Sequence, residues 1–242
     1  MRYHLTYLLL RLLKALTRLF YTAETEWIDG EPDDPWGTDY RLVSILNHTS
    51  LYEVLFAAIP GKPFLRRMAR YGVVPVALKT IKRPIVGKFF RLIAGNVVPI
   101  SRERDHTWAQ VLDSVGPESM VVILPEGRMK RADGRDSYGR ELVIRGGIAD
   151  LIKATGSGKW LMCYSLGLHH IQIPGEMFPR LFKPLRMRFE VFDIAEYCAR
   201  LGADDPEEFR LAVIRDLTER RDRYCAAELG GQDVETVTAS DS

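Results

Sequence analysis

Residues 41–53 read R-L-V-S-I-L-N-H-T-S-L-Y-E. The first seven form a short apolar, β-branched run, which predicts a buried strand ending at His48. Ser50 and Glu53 follow at the spacing of a capping box, so a helix is expected over 50–59, stopped by Pro60-Gly61. The same alternation continues along the chain. One or two short strands are expected within 62–78, the candidates being 64–68 and 73–78, and further strands at 97–100, 120–124, 160–166 and 185–192. Helices are expected over 83–93, 105–114, 141–154 and 206–227, and a polar loop rich in Gly, Arg, Lys and Asp over 126–140. Strands alternating with helices predict an α/β fold, a single layered domain around a largely parallel sheet. The 242 residues suffice for one such domain with appendages, and apolar and charged contents of 46% and 27% are those of a globular chain. The organisation expected is an amphipathic membrane-anchoring segment at 1–30, the folded domain at 31–228 and a disordered tail at 229–242.

The N-terminal segment carries Leu5, Leu8, Leu9, Leu12, Leu13, Leu16, Leu19 and Phe20 at the spacing of one helix face, with Arg11, Lys14 and Arg18 opposite. It is not a cleavable signal peptide, because basic residues interrupt the apolar run and no small-residue cleavage site follows. As a spanning helix it would place Arg11 and Lys14 near the bilayer centre, at a cost of about 5–7 kcal/mol for the pair. An interfacial helix is expected instead, its leucines in the lipid and its bases on anionic headgroups. On that reading, deleting residues 1–21 releases the protein from vesicles and leaves the fold intact. An amphipathic helix packed on its own domain is the alternative. Phe89, Phe90, Leu92 and Ile93, set among Lys82, Arg83, Lys88 and Arg91, offer a second membrane-facing helix or a core helix with a solvated basic face. A net charge of +2 gives no argument for a nucleic-acid partner. Cys163, Cys198 and Cys225 are an odd number without a CxxC pair. They argue against a disulfide framework or a zinc site and for a reducing compartment.

Three strand ends carry chemistry. His48 sits at the first, with Glu53 in the following turn, close enough to fix the imidazole tautomer and stabilise the imidazolium. That is the base-and-orienter half of a triad; a simple helix cap is the other reading of the same residues. Arg102 follows the strand at 97–100, and Glu126-Gly127-Arg128 follow the strand at 120–124. In α/β sheets ligands bind beyond the carboxyl ends of strands. Arginine suits a phosphate there, and glycine lets the backbone approach an anion. His169-His170 lack further ligands at metal spacing, Gly156-Ser-Gly-Lys159 lacks the first glycine of a phosphate loop, and no G-x-S-x-G elbow is present.

The ordered set N47-H-T-S-L-Y-E53, V98-P-I-S-R102 and L124-P-E-G-R128, with R145-G-G-I-A-D-L-I-K-A-T-G156 after it, resembles the glycerolipid acyltransferases, typified by 1-acylglycerol-3-phosphate acyltransferase. Glu53 stands where that family has aspartate, Arg128 where it has threonine and Met129 where it has arginine. The resemblance implies that His48, with Glu53, activates an acceptor hydroxyl, which attacks a thioester without an acyl-enzyme intermediate. It implies Arg102, Glu126, Gly127 and Arg128 as acceptor-binding residues, acyl-CoA or acyl-carrier protein as co-substrate, and no metal or organic cofactor. The acceptor it implies is a lysophospholipid, 1-acylglycerol-3-phosphate first, met at the cytoplasmic face of a membrane by a peripheral protein. A different acceptor, such as an aminoacyl lipid, another lysophospholipid or glycerol 3-phosphate, and a non-catalytic membrane-binding protein remain the alternatives.

Overall fold

The apolar runs become the strands of one seven-stranded sheet. The computed structural model describes residues 2–101 and 105–226. In chain order the elements are α1 (Arg2–Phe20), β1 (Thr22–Trp27), β2 (Tyr40–Leu46), a 3₁₀ helix (Leu51–Ala58), α2 (Lys62–Tyr71), β3 (Gly72–Ala77), α3 (Leu78–Ile81), α4 (Pro84–Ile93), β4 (Asn96–Ile100) and α5 (His106–Asp113). They continue with β5 (Met120–Ile123), α6 (Gly147–Thr155), β6 (Lys159–Ser165), β7 (Pro184–Asp193), α7 (Ile194–Leu201) and α8 (Pro206–Tyr224). The sheet order is β1-β7-β6-β2-β5-β3-β4. Every pairing is parallel except β6 with β7, so β7 and β1 run against the other five strands. Parallel strands covered on both faces are apolar on both, as the burial along β2 illustrates.

Each sheet face carries a helical layer. Leu42, Leu46, Val121, Ile123, Trp160 and Met162 meet α5, α6, α7 and α8 on one side. Val43, Leu161, Cys163, Met187 and Phe189 meet the 3₁₀ helix and α2 on the other. The strands β2, β4 and β5 end on one edge of the sheet, which delivers His48, Ser101 and the 124–128 loop to a common place.

Several elements differ from expectation. Residues 64–68 lie in α2, not a strand: Phe64, Leu65 and Met68 form one helical face, while Arg66 and Arg70 face solvent. A short apolar run with two interleaved arginines fits either period, and the proline at the helix start decides it. The helix expected over 141–154 begins only at Gly147. The capping-box helix is 3₁₀. Sequence periodicity misses β1 because this edge strand, T-A-E-T-E-W, is exposed on both faces and shows no apolar alternation. The tail at 229–242 lies outside the described residues.

The N-terminal helix is docked on the domain. Thr6, Leu10 and Thr17 are buried, and Leu10 packs with Leu65 and Ala69 of α2. Lys14 donates to the carbonyls of Ile59 and Pro60, and Arg18 Nε to Ala58 O at 3.0 Å. These two bases therefore turn inward, onto the orphan carbonyls that end the 3₁₀ helix, and away from any headgroup. Leu5, Leu8, Leu12, Leu16 and Leu19 still face outward, between 48% and 67% exposed. Segment 1–30 thus contributes a docked helix and, through β1, a strand of the sheet. Among the described residues, no helix is long and apolar enough to cross a membrane.

Candidate active site

The site is built on a turn. Strand β2 ends at Leu46, and Asn47 then takes a φ of +66°, a left-handed conformation that Asn tolerates better than most residues. Three groups clamp it. Glu126 Oε1 accepts the Asn47 N–H at 2.7 Å, Asn47 Nδ2 donates to Ser165 O at 2.9 Å, and Lys130 Nζ donates to Asn47 Oδ1 at 3.3 Å. The Lys130 N–H also donates to His48 O at 2.7 Å. The ends of β5 and β6 thus hold the bend that aims the next residue.

That residue is His48, whose Nδ1 lies 2.6 Å from Glu53 Oε2. Glu53 Oε1 accepts the Thr49 N–H at 2.8 Å. Both side chains are largely buried, 15% and 8% exposed. Ser50 caps the 3₁₀ helix through the Tyr52 N–H at 3.1 Å and donates to Gln172 Oε1 at 2.6 Å. Capping and orienting are therefore joined in one turn: one carboxylate oxygen fixes backbone, the other fixes imidazole. A carboxylate on Nδ1 directs the ring proton there, and the imidazole can accept a second proton at Nε2.

Beside this pair opens a cavity of about 610 Å³. Its polar end is lined by His48, Glu53, Ser101, Gly127, Arg128 and Arg145; its body by Leu13, Phe64, Met68, Val76, Phe90 and Cys163. A mostly apolar cleft with a few converging polar groups is the usual form of a small-molecule site. Burial raises the Cys163 thiol pKa, so this cysteine serves as apolar wall and not as a nucleophile.

The remaining site residues divide. Gly127, at φ +64°, lines the cavity in a conformation that favours glycine. Glu126 is buried behind the turn, does not line the cavity, and acts on Asn47; burial raises its carboxyl pKa. Arg128 lines the cavity, but its guanidinium pairs with Asp136 and stacks 5.0 Å from the Tyr138 ring. Burial works to raise the Asp136 pKa, but the Arg128 guanidinium and the Arg140 and Tyr138 N–H groups outweigh it and hold the carboxyl at about 2. Arg128 therefore meets the cavity with its charge largely compensated. Arg102 lies outside the described residues. Its neighbour Ser101 donates its N–H to Thr107 Oγ1 at 2.9 Å and its hydroxyl to Asp105 Oδ2 at 2.7 Å, which anchors both ends of that connection.

Two cations of the cavity wall escape a motif reading, Arg145 and Arg210. Arg145 precedes α6 and donates its N–H to Pro125 O at 2.9 Å, next to the Gly127 turn. Its place at the head of the 145–156 run was the available signal. Arg210 lies on α8, paired with Glu207. His169 and His170 are committed to separate carbonyls, those of Lys130 and Pro184, each at 2.8 Å.

No family model matches the chain, and no curated protein matches it by sequence. Among solved structures, its fold is similar to the crystal structure of the 1-acyl-sn-glycerophosphate acyltransferase of Thermotoga maritima. The TM-score is 0.52 and the identity 15%, over 87% of this chain and 77% of that one. At that identity the likeness establishes the shared α/β fold.

Proposed function

We propose that the protein is a membrane-associated O-acyltransferase that moves a fatty acyl chain from acyl-CoA or acyl-carrier protein to a lysophospholipid hydroxyl. The observation that carries this reading is the His48–Glu53 pair, 2.6 Å apart, at the polar end of an apolar cavity of about 610 Å³. His48 Nε2 takes the proton of the acceptor hydroxyl as its oxygen attacks the thioester carbonyl. Glu53 stabilises the imidazolium that forms. The tetrahedral intermediate collapses, the C–S bond breaks, and the departing thiolate takes the proton from His48. The cavity body holds the acyl chain, and the donor's polar part stays outside.

The shared fold with an enzyme named for 1-acyl-sn-glycerophosphate supports that acceptor first. Arg145 and, from the motif alone, Arg102 are the cations we assign to its phosphate, with the Gly127 backbone beside Arg145. The Arg128–Asp136 pair favours a second reading, an acceptor with a less anionic headgroup, because one cation of the wall is already neutralised. The outward leucines of α1 support attachment at a lipid surface.

The test is transfer from labelled acyl-CoA and acyl-carrier protein to a panel of lysolipids, wild type against His48→Ala. Loss of about 10²-fold or more in the variant is expected for removal of a general base. Equal rates in the two proteins overturn the assignment, and the best acceptor of the panel decides between the two headgroup readings.

A further inference from the structure

The connection between β6 and β7 carries Met177, Phe178 and Phe182 at 77%, 77% and 76% exposure, with Leu181 also exposed. Bulky apolar side chains presented together to solvent mark an interaction surface. This segment is not slack chain that has failed to pack. The Arg180 N–H donates to Ile171 O at 2.7 Å, and Gln172 Nε2 donates to Ile173 O at 2.6 Å and to Glu176 O at 2.9 Å. Tyr52 Oη donates to Met177 O at 3.0 Å, and the Ser50 hydroxyl holds Gln172. Phe182 holds a φ of +57°, an uncommon conformation for a bulky residue, while its ring faces outward. The backbone is fixed so that the apolar side chains protrude.

Its surroundings identify the occupant. The Phe182 N–H donates to Phe20 O at 2.8 Å and the two rings meet at 6.1 Å, so the loop continues the outward leucine stripe of α1 through Leu19. The charge around the stripe is predominantly positive. Residues 1–23 contain no Asp or Glu, and neither do residues 54–101, which carry Lys62, Arg66, Arg67, Arg70, Lys79, Lys82, Arg83, Lys88 and Arg91. These lie on α2, α3 and α4 and in the turn between α3 and α4, and α1 packs on α2 and α4. On the loop itself, Glu176 is paired with Arg180, and Lys183 is exposed beside Phe182. Apolar tips among an excess of cations, of which Arg67 pairs with Asp39, match a bilayer rich in anionic lipid.

From this we infer that residues 173–183 form a second lipid-insertion element, a wedge that enters an anionic bilayer beside α1 with Met177, Phe178 and Phe182 as its tip. Because the wedge is braced on Ser50 and Tyr52, it holds the turn of His48 and Glu53 at a set height from the bilayer plane. The readout is lipid partition, so the inference stands or fails independently of the chemistry assigned to His48.

The experiment is sedimentation of the full chain with vesicles of phosphatidylglycerol and phosphatidylethanolamine, with light scattering and thermal melts as controls. M177S/F178S/F182S is expected to weaken partition by on the order of tenfold or more and leave the melt unchanged. The single variant Phe178→Glu, which leaves Phe182 on Phe20, is expected to weaken it in the same direction. Adding the α1 changes L8S/L12S/L16S to the triple variant abolishes binding. Partition equal to wild type in the triple and single variants overturns the inference, as does a wild type that does not bind these vesicles. A wild-type dimer that the triple variant converts to monomer, with partition unchanged, assigns the patch to a second copy of the chain and also overturns it.

Discussion

Glu53 serves two partners with two oxygens, and this makes a conservative change informative. In Glu53→Gln the amide oxygen can keep the Thr49 N–H, which leaves the NH₂ facing His48 Nδ1. That donor favours the tautomer with the proton on Nε2, the one that cannot act as base. The expected result is a kcat lowered by about 10²-fold or more, a nearly unchanged KM and little shift in melting temperature, read from steady-state transfer and a thermal melt. Glu126 predicts differently. Glu126→Ala leaves the buried Asn47 N–H without its acceptor, at about 1–3 kcal/mol, and loosens the turn that carries His48. Glu126→Gln keeps the acceptor and removes the ionisation. Since burial raises the Glu126 pKa, its contribution to stability is present below the unfolded-state value and lost as pH rises through the folded one. Melts of wild type and E126Q against pH should therefore diverge in favour of E126Q from acid toward neutral pH. His48, Glu53 and Gly127 were legible in the sequence because strand ends set their places in chain order. The role of Glu126 was not, since its partner lies 79 residues away, and neither was the neutralisation of Arg128, which depends on how its loop folds back.

At the scale of elements, apolar period located the buried strands and α4, α5 and α8, and failed where burial is one-sided or absent. Strand β1 has no buried face to write a pattern, and α2 hides a helical face inside an apolar run. The inward turn of Lys14 and Arg18 was equally hidden: amphipathicity separates two faces without saying which one meets the protein. Burial, followed by Arg18, Arg11 and Lys62, pushes the Lys14 pKa down to about 8. A base whose folded pKa is depressed contributes stability above its unfolded value, and that contribution is lost as pH falls through the folded one. The docking of α1 should therefore tighten as pH rises from about 8 to about 10.5. Lys14→Met should flatten that dependence relative to wild type, as read by hydrogen exchange along residues 2–20. Helix α8 tests simpler physics. Asp205 Oδ1 accepts the N–H groups of Glu207 and Glu208 at 2.9 Å each, so Asp205→Ala should cost about 1 kcal/mol in a denaturant melt.

At the scale of the whole molecule, α1 is wall and surface at once. Leu10 and Leu13 line the cavity from its inner side, while Leu8, Leu12 and Leu16 face out. Deleting residues 1–21 is therefore expected to lower the melting temperature and open the cavity besides releasing vesicles, as a melt of the truncated chain would register. Removing an appended anchor would leave the melt unchanged. The same placement bears on how fast a lipid can be exchanged. Desorption of a sixteen-carbon chain into water costs about 0.8 kcal/mol per methylene, about 12 kcal/mol in all, and that barrier governs how slowly single lipids leave a bilayer. At the lipid surface proposed above, one helix, about 10 Å across, would separate hydrocarbon from cavity, and a chain passing sideways around α1 would never be solvated. The molecule would then turn over lipid at a pace set by lateral diffusion and helix motion, with aqueous solubility dropping out of the kinetics.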